Sequence, residues 1–518
     1  MTRINTNISS VIAQQRLNRS GGELQLRLER LSTGLRINRG KDDPAGLIIS
    51  ERLGTDLKGI EQAIKNGQRA SSVIATAEGA LTEINDLLNS IKALAVEAAN
   101  TGAISDEERS ANQLQIDSAI QSITRISNTS SFGGLKLLDG TLDYVTSGIT
   151  SSTISLASIT GASFSNSTSV NVDVDVIASA QKAGLFLNGD NATGTDGVLL
   201  SQMTIQVKGE RGVREYVFQS NTSLDDVVSA INQDANITGV TASLINGDAT
   251  SGLVFQSQEY GSDGFVSVKR LDPPSDGSNT FTLYKFDNDV DFPGYGPPFD
   301  WTDTDLTPTG YDEGRDVTAL INGILATGKG LNVSINSPSL SMSLQLTESY
   351  GIDPTLTVSS FDITGGGALF QLGPDISALQ QTNIGIQSTS SENLGGVTLS
   401  TGAVQFLSSL QTGQANSLDA AKDRQSFTAL QDIIDKSIDE VSILRGRLGA
   451  FERNVLDTNN RSLQGAYENL TASRSIIRDA DFAMESSELT RAQILQSSGT
   501  TVLGLANQSA QQVLQLLG

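Results

Sequence analysis

Eight apolar residues, Ile74, Ala77, Leu81, Ile84, Leu88, Ile91, Ala95 and Ala98, follow one another at spacings that alternate between three and four. That is the period of a helix carrying one apolar seam, and it predicts a helix over roughly 44–100. A second helix is expected at about 105–129, where Ile116, Ile120 and Ile123 share a face. Near the other end Phe427, Leu430, Ile434, Val441, Leu444, Leu448, Phe451 and Val455 make a third seam. A long helix with one apolar stripe cannot hide that stripe alone. Helices from the two ends of the chain are therefore expected to pack together as a bundle.

The extreme ends carry a weaker version of the pattern. Leu24, Leu28, Leu31 and Leu35 line one face near the start, and Leu503, Ala506, Ala510, Val513 and Leu517 do so at the finish. Both segments are rich in Gln, Asn, Ser and Thr, and Gly21-Gly22 interrupts the first. Helix nucleation is costly, and so little apolar area hardly offsets it. These ends read as segments that fold against a partner.

Between about 141 and 400 the period changes to two. Val170, Val172, Val174 and Val176 alternate with polar residues, as do 203–209, 331–337 and 340–346, which predicts half-buried strands. One short helix is expected where Ser223 can cap, Asp226 suits the first turn, and Leu224, Val227, Val228 and Ile231 share a face. Within this region 272–313 is acidic, proline-rich and holds the only tryptophan, Trp301, which reads as irregular loops or a small subdomain at an exposed tip. The fold class expected is mainly α at the two ends, as long antiparallel helices or coiled coil, with an inserted β-rich central region.

Composition narrows the chemistry. The 518 residues include no cysteine and no histidine. Disulfides, thiol nucleophiles, histidine bases and the usual zinc ligands are all absent, so a Ser-His-Asp triad or a histidine-based metalloprotease is excluded. A formal charge of −23 disfavours nucleic-acid binding. No run approaches the length of a membrane span, and the first twenty residues lack the apolar core of a secretory signal. Asp287, Asp289 and Asp291 show the alternate-oxygen spacing of a calcium loop, but Phe292 and Pro298 stand where glycine and glutamate are needed. No catalytic residue and no cofactor is expected.

The densest cluster of charge and glycine is GLRINRGKDDPAG, residues 34–46. It contains no phosphate-binding motif. Gly40 is expected to close the preceding helix in the left-handed conformation. Asp43 is expected to cap the next helix, with Pro44 at its first position. Helix stop, turn and helix start make a hinge, and Arg36, Arg39, Lys41 and Asp42 are left without a local role.

At this point the residues resemble the bacterial flagellins. ERLSTGLRINRGKDDPAGLIISERL (29–53) is similar to the family's N-terminal signature, and SRSIIRDADFAMESSELTRAQIL (473–495) with LANQSAQQVLQLL (505–517) is similar to its C-terminal one. RINTNISS, FGGLKLLDG and FQLGPD also resemble family segments, and the stretch from VKGERGVREYVF to INGILATGKGLNVSI resembles a β-rich module of some flagellins and hook-associated proteins.

The resemblance implies a subunit exported through the flagellar secretion apparatus without a cleaved signal. It implies polymerisation under a cap into an extracellular helical filament, with an export chaperone and hook-filament junction proteins as further partners. Residues 1–43 and 479–518 would be the inner-tube helices. Residues 44–164 and 360–478 would form the outer-tube bundle with β-hairpins, and 165–359 the surface-exposed variable region. Gly40, Asp43 and Pro44 become an elbow between inner and outer helices, and Arg36, Arg39, Lys41 and Asp42 are expected to face charges on neighbouring subunits. A further implied face, read by animal innate receptors, carries arginine and then leucine four positions on. This chain has Ser90 and Leu94 there, and Gln115 in place of a neighbouring glutamate. The alternatives are a flagellin-like hook-filament junction protein and, remotely, a secreted enzyme carried on flagellin-like ends.

Overall fold

The computed structural model describes residues 6–164, 168–188, 197–272, 281–286, 306–337, 339–353, 357–398, 404–421 and 424–515, with backbone only at 286, 424 and 509–515. Helices come first and last. Near the start lie α1 (Ile8–Thr33), α2 (Pro44–Ala98) and α3 (Asp106–Thr129). Beyond the short α4 (Leu224–Gln233) come α5 (Arg424–Phe451), α6 (Asp457–Arg478) and α7 (Phe482–Gln515). The chain divides into two units, one made of 1–70, 371–380 and 452–518, the other of 71–370 and 381–451.

In the larger unit the α2 seam is the core. All eight of its residues are buried, seven of them completely. The facing helix is α5, whose Leu430, Ile434, Val441, Leu444 and Leu448 are buried as the spacing predicts. Lys92 pairs with Asp435 at 2.7 Å, and Gly449 lies against Glu78, so the two helices run antiparallel. α3 begins at a capping box in which the Ser105 hydroxyl accepts from the Glu108 N–H and the Glu108 carboxylate accepts from the Ser105 N–H. Its Ile116, Ile120 and Ile123 are fully buried. Val455, expected to continue the seam, falls in the smaller unit, within a π-helical turn, Glu452–Leu456, where it is half-buried and Leu456 is buried.

The β-rich insertion is two nested modules, each of two antiparallel sheets around its own core. The first module pairs 170–178 with 318–321 and 359–363 in a five-stranded sheet. Its four-stranded sheet pairs 340–346 with 332–336 and 154–162. Val172, Val174, Val176, Phe361, Met342 and Leu344 meet between them. Strands on both sides of residue 165 take part in this module. Residues 154–162 and 144–147 already belong to this module, through pairs to 340–346 and 362–366.

The second module is inserted within the first. Strands 203–209 and 265–270 lie in one sheet, and 184–188 and 252–257 in the other, with α4 packed on the core through Leu224, Val227 and Ile231. Ser223 caps α4 by accepting from the Asp226 N–H. The acidic stretch expected as loops is partly strand. Residues 283–286 and 306–308 extend the sheet of 184–188 and 252–257, and 311–313 that of 203–209 and 265–270, because an open sheet edge offers them backbone partners. Asp287, Asp289, Asp291 and Trp301 lie outside the described residues.

The seam makes a measurable demand. Leu88→Ala should cost about 2–5 kcal/mol, read as a lower denaturant midpoint of the helical unfolding transition. Ser90→Ala, on the exposed side of the same helix, should change it by less than about 0.5 kcal/mol.

Candidate functional site

The features that local sequence left without a role lie in the smaller unit, at the chain ends and the elbow. α1 closes at Gly34, not at Gly40. Gly34 has φ 70°, in the left-handed region where a side chain is strained, and its N–H donates to the Arg30 carbonyl. Gly40 is absent from the left-handed residues. The Thr33 hydroxyl, accepting from the Leu35 N–H, completes the stop. The elbow therefore spans 34–43 and buries Ile37 almost completely. Its far side is as expected: the Asp43 carboxylate accepts from the Gly46 N–H at 2.9 Å and Pro44 opens α2.

A second elbow lies beside it. α6 ends at Arg478, and the Asp481 carboxylate accepts from the Ala483 and Met484 N–H groups to start α7. The two elbows are joined backbone to backbone, Arg36 N–H to the Arg478 carbonyl and Ala480 N–H to the Gly34 carbonyl. Three of the four charges expected to face neighbours have partners within the chain. The Arg36 guanidinium donates to the Ile477 carbonyl at 2.6 Å, Arg39 pairs with Glu29 at 2.9 Å, and the Asp42 carboxylate accepts from the Asn38 and Arg39 N–H groups. Those backbone donors, the Arg39 N–H foremost, hold the Asp42 carboxyl below its ordinary range. Lys41 is exposed and makes no ion pair among the described residues.

α1 and α7 run antiparallel. Asn7 donates to the Ala506 carbonyl, Ser10 to the Asn507 side chain and Ser20 to the Ala492 carbonyl. The residues buried between them are small: Ala13, Ser20 and Ala492. The exception is Glu485, 4 % exposed, whose two oxygens accept from Arg27 at 2.7 Å and Arg30 at 3.0 Å. Burial pushes the Glu485 carboxyl up, but the two arginine hydrogen bonds outweigh it and hold the group below the usual glutamate range. Nothing in the local sequence marks this residue.

The seam leucines expected to pack the pair do so only in part. Leu24, Leu31, Leu35, Leu503 and Ala506 are half-buried, whereas Leu28 is 50 % exposed. Ala510, Val513 and Leu517 lie outside the described side chains. Ile8, Val11, Ile12 and Leu28 of α1, with Ile494, Leu495, Val502 and Leu505 of α7, stay 47–63 % exposed. Ala13, Ser20, Leu495, Gly499 and Val502 line an open groove of about 350 Å³ between the helices. In the other unit, Ser90 and Gln115 are exposed and Leu94 is half-buried.

Glu485 fixes a sign for the pH dependence. Its folded carboxyl titrates lower than in the unfolded chain, so its contribution is complete above the ordinary value of 4.5 and is lost as pH falls through the depressed one. Glu485→Gln should cost about 3 kcal/mol at neutral pH and flatten the acid dependence. Amide hydrogen exchange of 8–33 and 482–508 at neutral and acid pH measures both.

The sequence matches three family descriptions: "Bacterial flagellin N-terminal helical region" over 4–143, "Bacterial flagellin C-terminal helical region" over 431–517 and "Flagellin hook IN motif" over 202–259. The first two include the α1, elbow, α2 and α7 residues described above, and the third falls in the second β module. Over 99 % of both chains it is 30 % identical to a flagellin of Salmonella rubislaw. It is 29 % identical to a flagellin of Salmonella muenchen and 28 % to the B-type flagellin of Pseudomonas aeruginosa, again over 99 % of each chain. With helices from both ends paired, a β-rich insertion between them and a relative matched over nearly its whole length, the chain belongs to the bacterial flagellin family.

Proposed function

We propose that this chain, a structural and non-enzymatic subunit of the extracellular flagellar filament, polymerises chiefly through the outward face of the α1–α7 pair. One observation carries this. Small residues and a buried carboxylate hold the pair together, while eight large apolar side chains of the two helices stay 47–63 % exposed, Leu495 and Val502 along the open groove between them. Covering such a side chain is worth about 1.5–3 kcal/mol, so neighbours supply what the isolated pair lacks. The two terminal helices are the inner layer of the polymer and the α2–α5 bundle the next. The β modules project outward. The chain reaches its site unfolded, through the flagellar export apparatus with a chaperone, and adds beneath a cap on a filament founded on junction proteins. A chain without cysteine suits that route, since no disulfide can form before export is complete.

Removing 499–518 deletes the C-terminal part of α7 with two of its exposed apolar residues, Val502 and Leu505. The expected product is a soluble chain whose α2–α5 bundle unfolds at the same denaturant concentration but which no longer elongates filament seeds. Sedimentation after seeding measures this, and normal elongation by the truncated chain would overturn the reading.

A further inference from the structure

Two of the most exposed large apolar residues of the chain sit on one small, rigid loop. Ile376 is 92 % exposed and Leu379 98 %. The loop is tied from within. Gln380 accepts from the Asp375 N–H and donates to its carboxylate, Gln371 donates to the Gly373 and Asp375 carbonyls, and the Leu372 N–H donates to the Gln380 carbonyl. Its Pro374 rests on α2 at Gly59, where a β-carbon would come within 2.9 Å of the ring. Side chains held outward on a loop already ordered lose little freedom on docking, which favours a partner surface over chance exposure.

The same unit carries a second exposed apolar surface of different make-up, at the double elbow. Ile48 and Ile49 in the first turns of α2, Ile476 at the end of α6, and Phe482 and Met484 at the start of α7 are all more than 45 % exposed. The elbow hydrogen bonds and the Arg478–Glu51 pair at 2.6 Å bring these turns to one place. Beside them stands Lys41, exposed and without an ion pair among the described residues, while the loop carries the exposed acid Asp375.

We propose that the 373–380 loop of one copy seats Ile376 and Leu379 on the double elbow of the next copy, with Asp375 facing Lys41. The contact joins two different patches, so it is heterologous and its repetition extends an open helical array instead of closing a dimer. It rests on the polymerisation reading above and adds to it a site outside the terminal helices. It also returns to the elbow one of the expected intersubunit charges, Lys41, which makes no ion pair among the described residues.

The absence of cysteine makes a clean test available in the full chain. Ile376→Cys and Ile48→Cys chains are copolymerised and mildly oxidised. Their mixed disulfide should form about tenfold faster than that of Ile376→Cys copolymerised with Ser90→Cys. Equal rates, or faster coupling of Ile376→Cys to itself, would overturn the proposal. Independently, Ile376→Ser with Leu379→Ser should raise the critical concentration for elongation about tenfold while leaving monomer unfolding unchanged. An unchanged critical concentration sinks the loop contact alone when the 499–518 truncation still fails to elongate. Normal elongation by that truncation instead strikes at the polymerisation reading.

Discussion

The structure depends on one constraint: an apolar seam on α2 that the N-terminal part of the chain cannot cover. Its residues from Ile74 to Ala98 are buried, and the helix that faces them, α5, lies more than three hundred residues away in sequence. Bringing such distant segments together costs loop-closure entropy, but that cost grows only slowly with length. The long middle is therefore tolerated between the two halves of the bundle, provided it folds on its own. It does so as two modules with separate cores, the second held inside the first by strands on either side of the insertion.

Much of this is legible because it is local. The alternating spacing of three and four identifies α2, and Asp43-Pro44 and Ser105 mark helix starts that the structure keeps. Period-two alternation identifies the strands at 170–178, 203–209, 332–336 and 340–346. What is not local is not legible. The strand at 170–178 shows which face is buried, but not that its neighbours are 318–321 and 359–363. Val455 fits the seam by spacing, yet it falls in a π-helical turn that the spacing does not announce, and there Leu456 is the buried residue.

The elbow shows the same division at the scale of single residues. Gly34 and Gly40 are equally permissive, and the choice between them is made by the pairing of Gly34 and Arg36 with Arg478 and Ala480, far along the chain. Arg36 and Arg39, unexplained locally, are explained by partners at 477 and 29. Glu485 is the strongest case. In sequence it is one acid in the first turn of a polar helix, where a carboxylate complements the helix dipole anyway. Only the antiparallel register of α1 and α7 places it between Arg27 and Arg30 and makes it a buried ion.

That buried triad has a consequence for assembly. A carboxylate shared by two arginines is directional, and it specifies one register of α1 on α7 where an Ala- and Ser-lined contact alone would allow several. The pair thus gains definition from charge and small residues, and leaves large apolar side chains exposed, which on the proposed reading are covered by other copies. Had Ile8, Val11, Ile494 and Leu505 been buried within the pair, the isolated pair would be more stable and would offer its neighbours less to bury. Marginal terminal helices and a cohesive polymer are then two results of one distribution of side chains, with Glu485 ensuring that the face presented is the same in every copy.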